Sequence, residues 1–421
     1  MSGHARSLSR QARRRARPAA VAAAAVIAVA STVLATGPRA SADTGGTNQI
    51  GFQTAIVSNG TVWIAGCTWS RPDGQGIIQG GCGAISNLGV AVAPGTSPSI
   101  AAVPGSVFGT AGSSQAAWQG ANNHLWITGP GGPADTGLAM MPHTSPTLTV
   151  LPPGNNLFLP GGGAVVVFQG ADGHPWFYTA SDSRAMSASL LMAPGTSPAV
   201  IPAPNAGGWQ AVWQGTNNDL WTTSPLGPRD LGWKMMPGTS PSLAELTNGL
   251  FAAAISAYNG PGVPGTMQVT VGAILNPASA ATTSPGPYPG WGMAPGTSPS
   301  ISSTPPTPID PNPADLWEAT FNGLDGRLWG DGSLVAGPVI TPRTPGGFAL
   351  APGSSPAVMG TILPSYLGAG ATPGYVMLYP DVSGNLHFVV GSAFTTKYID
   401  PASPFGPPVS AGTSPSAASF Q

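Results

Sequence analysis

Four tryptophans recur at one position of a repeated segment, each with amide or carboxylate side chains close by. The segments read AWQGANNHLWITG at Ala117–Gly129, VFQGADGHPWFYT at Val167–Thr179, VWQGTNNDLWTTS at Val212–Ser224 and TFNGLDGRLWGDG at Thr320–Gly332. Trp126, Trp176, Trp221 and Trp329 recur in them, and Trp63 matches in a weaker copy. Asn122, Asp172, Asn217 and Asp325 stand on the intervening turns, with Asn123 and Asn218 beside two of them. This is the chemistry of a sugar platform: the apolar face of a pyranose stacks on indole, and neighbouring amides and carboxylates bond the hydroxyls. The structural alternative is that the indoles fill core gaps and the Asn and Asp residues are turn formers. Repetition favours the platform in one respect, because several weak sites on one frame bind with avidity.

Catalytic chemistry finds little support. Outside the N-terminal segment the histidines are His124, His143, His174 and His387, and His124 and His174 share a repeat position with Asp219 and Arg327, just past a turn. No H-x-x-x-H, HExxH, calcium loop or G-x-S-x-G pattern occurs. Asp310, Asp315, Glu318 and Asp325 are close in sequence and read as a solvated acidic loop. No catalytic residue, metal ligand or cofactor is assigned. A hydrolase or lyase built from distant residues converging on a central face stays as an alternative.

The elements that would position the tryptophans are β-hairpins. Each segment is an apolar run, a polar turn and a second apolar run; Asn-Asn, Asp-Gly and Asn-Gly tolerate the positive φ such turns need. Weaker copies are AIVSNGTVWIAG at Ala55–Gly66 and LYPDVSGNLHFVVG at Leu378–Gly391. A degenerate copy places its strands at Tyr258 and Met267–Val271. Asn59-Gly60-Thr61 matches a glycosylation sequon and is read as the turn of its hairpin.

Between the hairpins stands a short phrase. It reads PGTSP at Pro94–Pro98, Pro194–Pro198, Pro237–Pro241 and Pro295–Pro299, PHTSP at Pro142–Pro146, PGSSP at Pro352–Pro356 and AGTSP at Ala411–Pro415. The spacings are 48, 52, 43, 58, 57 and 59 residues, a period that belongs to propellers and solenoids. The phrase leads into a short strand of small residues suited to a crowded axis, as in SPSIAAV at Ser97–Val103. A fourth strand follows the hairpin, as in DTGLAMM at Asp135–Met141, DLGWKMM at Asp230–Met236 and GWGMA at Gly290–Ala294. Four strands per unit make a propeller blade. The chain begins on a hairpin that lacks a phrase strand and ends on a phrase strand, Ser414–Gln421, that lacks a hairpin. Joined, the two partial units complete a seventh blade and remove an open edge. The expected fold is an all-β, seven-bladed β-propeller of four-stranded blades, the closing blade shared between the two ends; an open all-β array is the alternative.

Composition agrees. With 60 Gly and 48 Pro, and only 7% charged residues, the chain is built of turns and short strands rather than long helices. Residues 1–42 read as a secretory signal: Arg6, Arg10, Arg13, Arg14, Arg15 and Arg17, an apolar run from Pro18 to Ala35, and Ala40-Ser41-Ala42 as the cleavage site. A retained membrane anchor is the alternative, so a membrane partner is expected only if the signal is not cleaved. Residues 43–421 are read as one domain, secreted and extracellular. That part carries seven basic and 15 acidic residues, a net charge of −8, which argues against nucleic acid. Cys67 and Cys82 are the only cysteines and, in an exported chain, are expected to form a disulfide, worth about 3 kcal/mol in the chain-entropy account.

The hairpins FQGADGHPWFY and FNGLDGRLWG, at Phe168–Tyr178 and Phe321–Gly330, resemble the repeat of bacterial fucose-binding seven-bladed propeller lectins and, more distantly, of tachylectin-type propellers. The resemblance covers four of the seven blades. It implies a non-enzymatic lectin that binds glycans between adjacent blades, with Trp126, Trp176, Trp221 and Trp329 as pocket aromatics. The PGTSP phrase departs from those lectins and is similar to repeat tracts of secreted actinobacterial proteins. Two blades, around 243–290 and 356–400, hold no tryptophan at the repeated position, which puts sites there in doubt. A protein-interaction or cell-surface scaffold is the alternative function.

Overall fold

The computed structural model describes residues 49–70, 79–103, 114–129, 131–151, 163–181, 183–203, 208–224, 227–246, 249–273, 281–282, 292–303, 317–332, 336–337, 348–363, 372–392, 395–399 and 406–419. The segment read as a signal lies outside them. The described strands form seven four-stranded antiparallel sheets within one compact unit, Asp43–Gln421. The first three strands are β1 (Gln49–Ser58), β2 (Thr61–Ser70) and β3 (Gln79–Ala91). Blade 1 is β4 (Ser99–Ala102), β5 (Ser114–Gln119), β6 (His124–Gly129) and β7 (Gly132–Ala139). Blade 2 is β8 (Thr147–Leu151), β9 (Gly163–Gln169), β10 (Pro175–Thr179) and β11 (Arg184–Ser187). Blade 3 is β12 (Ala199–Ala203), β13 (Gly208–Gln214), β14 (Asp219–Ser224) and β15 (Gly227–Lys234). Blade 4 is β16 (Ser242–Glu245), β17 (Leu250–Ala257), β18 (Thr266–Ala273) and β19 (Ala281–Thr282). Blade 5 is β20 (Ser300–Ser303), β21 (Trp317–Asn322), β22 (Leu328–Gly332) and β23 (Ala336–Gly337). Blade 6 is β24 (Ala357–Leu363), β25 (Thr372–Pro380), β26 (Leu386–Ser392) and β27 (Thr395–Ile399). The last strand, β28 (Ser416–Ser419), pairs with β1 and gives the closing blade, in the order β28-β1-β2-β3.

The inner strands β4, β8, β12, β16, β20, β24 and β28 follow one another in contact, and β28 meets β4. The seven-bladed propeller with a shared closing blade is therefore the observed fold. Its apolar cores lie between blades. The cluster of Phe52, Ile56, Val376 and Phe388 joins the closing blade to blade 6, and that of Ala199, Ile201, Leu243 and Phe251 joins blades 3 and 4. Each of the other five joints has its own cluster.

The first four residues of the repeated phrase each have a task. Pro and Gly take the two central positions of a type II turn, with Gly95 at φ 73° and its counterparts alike; His143 holds the same left-handed position at φ 63° without being glycine. The buried Thr donates its hydroxyl to the carbonyl before the phrase, as Thr96 Oγ1 does to Ala93 O at 2.8 Å. The phrase serines form a closed circuit. The N–H of Ser97 donates to Ser145 Oγ, that of Ser145 to Ser197, then Ser240, Ser298, Ser355 and Ser414, whose N–H returns to Ser97 Oγ, all at 2.8 or 2.9 Å. Buried amides add a second tie between blades: Gln119, Gln169 and Gln214 donate to carbonyls next to the following phrase, those of Met141, Ala193 and Met236.

Three expectations need correction. The degenerate hairpin is β17–β18, so its first strand ends at Ala257 and Tyr258 lies just beyond it; the strand is an alanine-rich run without the Gln-Gly signature. Gly292 and Met293 make isolated bridges to Thr266 and Gly323 rather than a fourth strand, and β19 takes that place. Glu318 is buried on β21, with only 4% of its surface exposed, not in a solvated loop; Asp310 and Asp315 lie outside the described residues. Asn59 and Gly60, at φ 50° and 72°, form the tight turn read from the sequence.

Candidate functional site: a repeated tryptophan latch

The hairpin turns of blades 1, 2, 3 and 5 are built alike. In blade 1 the N–H of Gly120 donates to His124 O and the N–H of Asn123 to Gly120 O, closing a loop in which Asn123 takes φ 59°. Asn122 Oδ1 accepts the N–H of His124 and also the indole N–H of Trp126, both at 3.2 Å. Asp172 does the same for His174 and Trp176, Asn217 for Asp219 and Trp221, and Asp325 for Arg327 and Trp329, at 3.0 to 3.1 Å. One side chain thus caps the turn and holds the edge of the tryptophan four residues later. The indole lies across the glycine that opens the turn. A Cβ at Gly120, Gly170, Gly215 or Gly323 would come within 2.3 to 2.5 Å of the pyrrole edge of that indole, so the close approach requires glycine.

The inner face of the indole is supported from within the blade. Trp126 stacks on the fully buried Trp118 and Trp329 on Phe321, each at 6.4 Å between centroids. Trp126, Trp176 and Trp329 border the cores between their own blade and the preceding one, and each remains partly exposed, as does Trp221. The predicted site residues therefore meet in pairs, Asn122 with Trp126, Asp172 with Trp176, Asn217 with Trp221 and Asp325 with Trp329. They do not converge on a common centre.

Sequence reasoning missed a second polar element, on the outer strands. Asp135 Oδ1 accepts the N–H of Gly137, and Asp230 Oδ1 that of Gly232; their Oδ2 atoms accept from Asn122 Nδ2 at 2.8 Å and Asn217 Nδ2 at 3.2 Å. In register, Asp135 pairs with Trp126 and Asp230 with Trp221, beside a strand irregularity. In the closing blade Asn87 pairs with Trp63 and accepts the N–H of Gly89. The signal was present as Asx-x-Gly, with the glycines at φ 69° to 73°. Partial burial alone would raise the Asp135 carboxyl. Hydrogen bonds from Gly137, Asn122 and His124, and the charge of His124, outweigh it and hold the group below its usual range. In blade 3, Asp219 meets Lys234 Nζ at 2.7 Å.

Blade 6 replaces the latch by a matched exchange. Asp381 stands where the turns of blades 1, 2, 3 and 5 have glycine, and His387 where they have tryptophan. The smaller ring leaves room for the carboxylate, whose Oδ2 lies 3.1 Å from His387 Nε2 and accepts from Asn385 Nδ2 at 3.1 Å. His387 stacks on Tyr379 at 5.5 Å, as Trp126 does on Trp118. In the closing blade Trp63 Nε1 donates to Ser58 O and Thr61 Oγ1 instead.

Among the described residues no group of three or more His, Cys, Asp or Glu side chains is placed to hold a metal ion. The latches can offer fixed, partly exposed indoles beside carboxylates and amides. Cys67 and Cys82 pair in register across β2 and β3.

No family model matches the chain, and no curated protein does. Solved structures match at low identity. The lectin of Aleuria aurantia, in complex with Fucα1-6GlcNAc, is 9% identical, covering 74% of this chain and 97% of its own, with a TM-score of 0.45; that lectin is described as a six-bladed β-propeller with fucose recognition. A mutant of AofleA from Arthrobotrys oligospora is 12% identical over 76% of this chain and 89% of its own, with a TM-score of 0.44. BBS1N in complex with ARL6DN is 11% identical over 79% and 88%, with a TM-score of 0.40. Of these structures, the Aleuria aurantia lectin is described with fucose recognition and BBS1N with a protein partner.

Proposed function

We propose that the protein is a secreted, non-enzymatic carbohydrate-binding propeller, with glycans as partners taken at the rims of the inter-blade joints. One observation carries the reading. Four blades hold a partly exposed indole at the same place, with its N–H already bound and its glycine-side approach fixed, so a ligand finds an ordered apolar surface with little left to immobilise. Trp126, Trp176, Trp221 and Trp329 would take the apolar faces of sugar rings. Asp172 and Asp325, with Asp135 and Asp230 behind Asn122 and Asn217, would accept from hydroxyls. The reading calls on no cofactor. Residues 1–42 serve as the export signal in it, and Cys67 with Cys82, opposed in register, as the disulfide of the exported chain.

The test is a glycan array probed with residues 43–421. The reading expects binding to at least one carbohydrate and a tenfold or greater loss on Trp221→Ala or Trp126→Ala in folded protein; binding to no glycan refutes it. A second reading is favoured by the engagement of the latches' own polar atoms inside the chain: a protein-binding scaffold, in which a captured partner is retained when those tryptophans are replaced.

A further inference from the structure

Among the seven inner strands only one residue is charged, Glu245, the fourth residue of β16. The repeat locates its surroundings. Successive inner strands are staggered so that the third residue of one meets the fourth of the next, as the Gly360 N–H donates to Ser302 Oγ at 2.8 Å. By that stagger Glu245 meets Ile201 of blade 3. The cross-strand partner of Ile201 is Gln210, and that of Glu245 is Phe251. Ile201, Leu243 and Phe251 belong to the core between blades 3 and 4, so strand alternation turns Glu245 toward the same joint, where it remains partly exposed at the end of β16.

Gln210 is fully buried there. Its Nε2 donates to Thr222 Oγ1 at 2.9 Å, and its Oε1 has no donor among the described residues. The equivalent residue of the closing blade shows where such an oxygen points. Gln53 pairs with Ala418, the third residue of β28, and its Oε1 accepts a hydrogen bond across the joint from Ser114 Oγ, the partner of Ala102, the fourth residue of β4. The corresponding rung opposite Gln210 is Glu245 with Phe251. Phe251 can donate nothing; a carboxylic acid can.

We propose that Glu245 closes the joint between blades 3 and 4 as a neutral acid whose hydroxyl donates to Gln210 Oε1, and that this joint is a pH-sensitive seam of the ring. No ionisable residue lies on β12, β13, β17 or β20. On β21, Glu318 alternates with Trp317, Ala319 and Phe321, which pack toward blade 4, and so points away. The connections 204–207, 247–248 and 274–280 contain no ionisable residue; Asp310 and Asp315 belong to the connection 304–316, outside the described residues. Burial pushes the Glu245 carboxyl up to about 7. In the unfolded chain it ionises near ~4.3. The stabilising contribution is therefore complete below that unfolded value and is lost as pH rises through about 7.

The chain holds two glutamates, Glu245 and Glu318, so selective carboxyl labelling of residues 43–421 yields two resonances in an NMR titration. One is expected to titrate with a midpoint near 7 and to vanish in Glu245→Gln. In Gln210→Met that midpoint should move down, because the neutral form loses its acceptor. A Glu245 midpoint in the ordinary carboxylate range, or one unmoved by Gln210→Met, overturns the proposal. Thermal unfolding gives a check that does not depend on the Gln210 variant folding. Wild type should lose stability from pH 5 to pH 8 relative to Glu245→Gln, whose amide donates to the same oxygen without ionising; parallel profiles overturn the seam.

Discussion

Replacing Gly215 by alanine tests whether the tryptophan latch is a fitted unit. The added Cβ would sit 2.5 Å from Cδ1 and Nε1 of Trp221 and 2.9 Å from Asn217 Oδ1. The backbone there cannot easily yield, since Gly215 bonds Asp219 and Asn218 within the turn and bridges to Met192. The indole must therefore move. Its 3.1 Å bond to Asn217 is worth about 1 kcal/mol net. Re-exposing roughly 100 Å² of a side chain that buries about 150–250 Å² costs about 2.5 kcal/mol at about 25 cal/mol per Å². Alanine returns about 0.5–1 kcal/mol through the unfolded chain. The expected loss is about 2.5–3 kcal/mol, measured by denaturant unfolding followed by circular dichroism. Blade 6 supplies the control, because its Asp381 and His387 occupy the same two positions. Gly215→Asp with Trp221→His should therefore be more stable than the sum of the single changes, with a coupling of at least about 1 kcal/mol. A neutral Gly215→Ala, or additive single changes, would refute the fitted-unit reasoning.

Two further outcomes follow from the geometry. Ser240→Ala removes the oxygen that accepts the Ser197 N–H at 2.8 Å; leaving that N–H unpaired should cost roughly 1–3 kcal/mol, and the Ser197 amide should exchange with solvent faster than the other phrase serines. At Asp381 burial raises the carboxyl, but hydrogen bonds from Asn385, His387 and Ser383 outweigh it and hold the group low. Its contribution is thus present above the ordinary carboxylate range and lost as pH falls through the lowered value. Asp381→Asn should flatten the acid side of the stability profile in thermal unfolding from pH 2 to pH 6, and an unchanged slope would show that the carboxylate's bonds add nothing to the fold.

The features legible in the sequence were those carried by local pattern. Phrase, hairpin and apolar alternation repeat within a few residues, so blade number, strand roles and the union of Ser416–Ser419 with Gln49–Ser58 could be read directly. Features made between distant copies could not. Ser97 and Ser145 are ordinary small polar residues until the ring brings them together, and the tie from Gln119 to Met141 spans a blade boundary. Blade 4 was read least well, because Leu250–Ala257 has neither the Gln-Gly pair nor a tryptophan. At the site, the tryptophans and turn residues were found, whereas their engagement with each other was not, since turn chemistry and ligand chemistry use the same Asn and Asp side chains. Asp135 and Asp230 escaped notice because their Asx-x-Gly signal lies on the outer strands, away from the motif that carries the indoles.

The serine circuit bears on how such a chain could change over generations. Every link joins like to like, and all seven run in the same sense, so no blade is marked as first or last by its bond to the next. Recombination between two phrase copies would join a serine to an equivalent serine and leave each local connection chemically intact. The lengths between copies, from 43 to 59 residues, show that the rest of a blade varies while this connection is kept. What such an exchange must preserve is the complement between the two chain ends, because only β28 and β1 are joined across them. Blade content is therefore free to drift at the rim, while the hub admits only the insertion or removal of whole units.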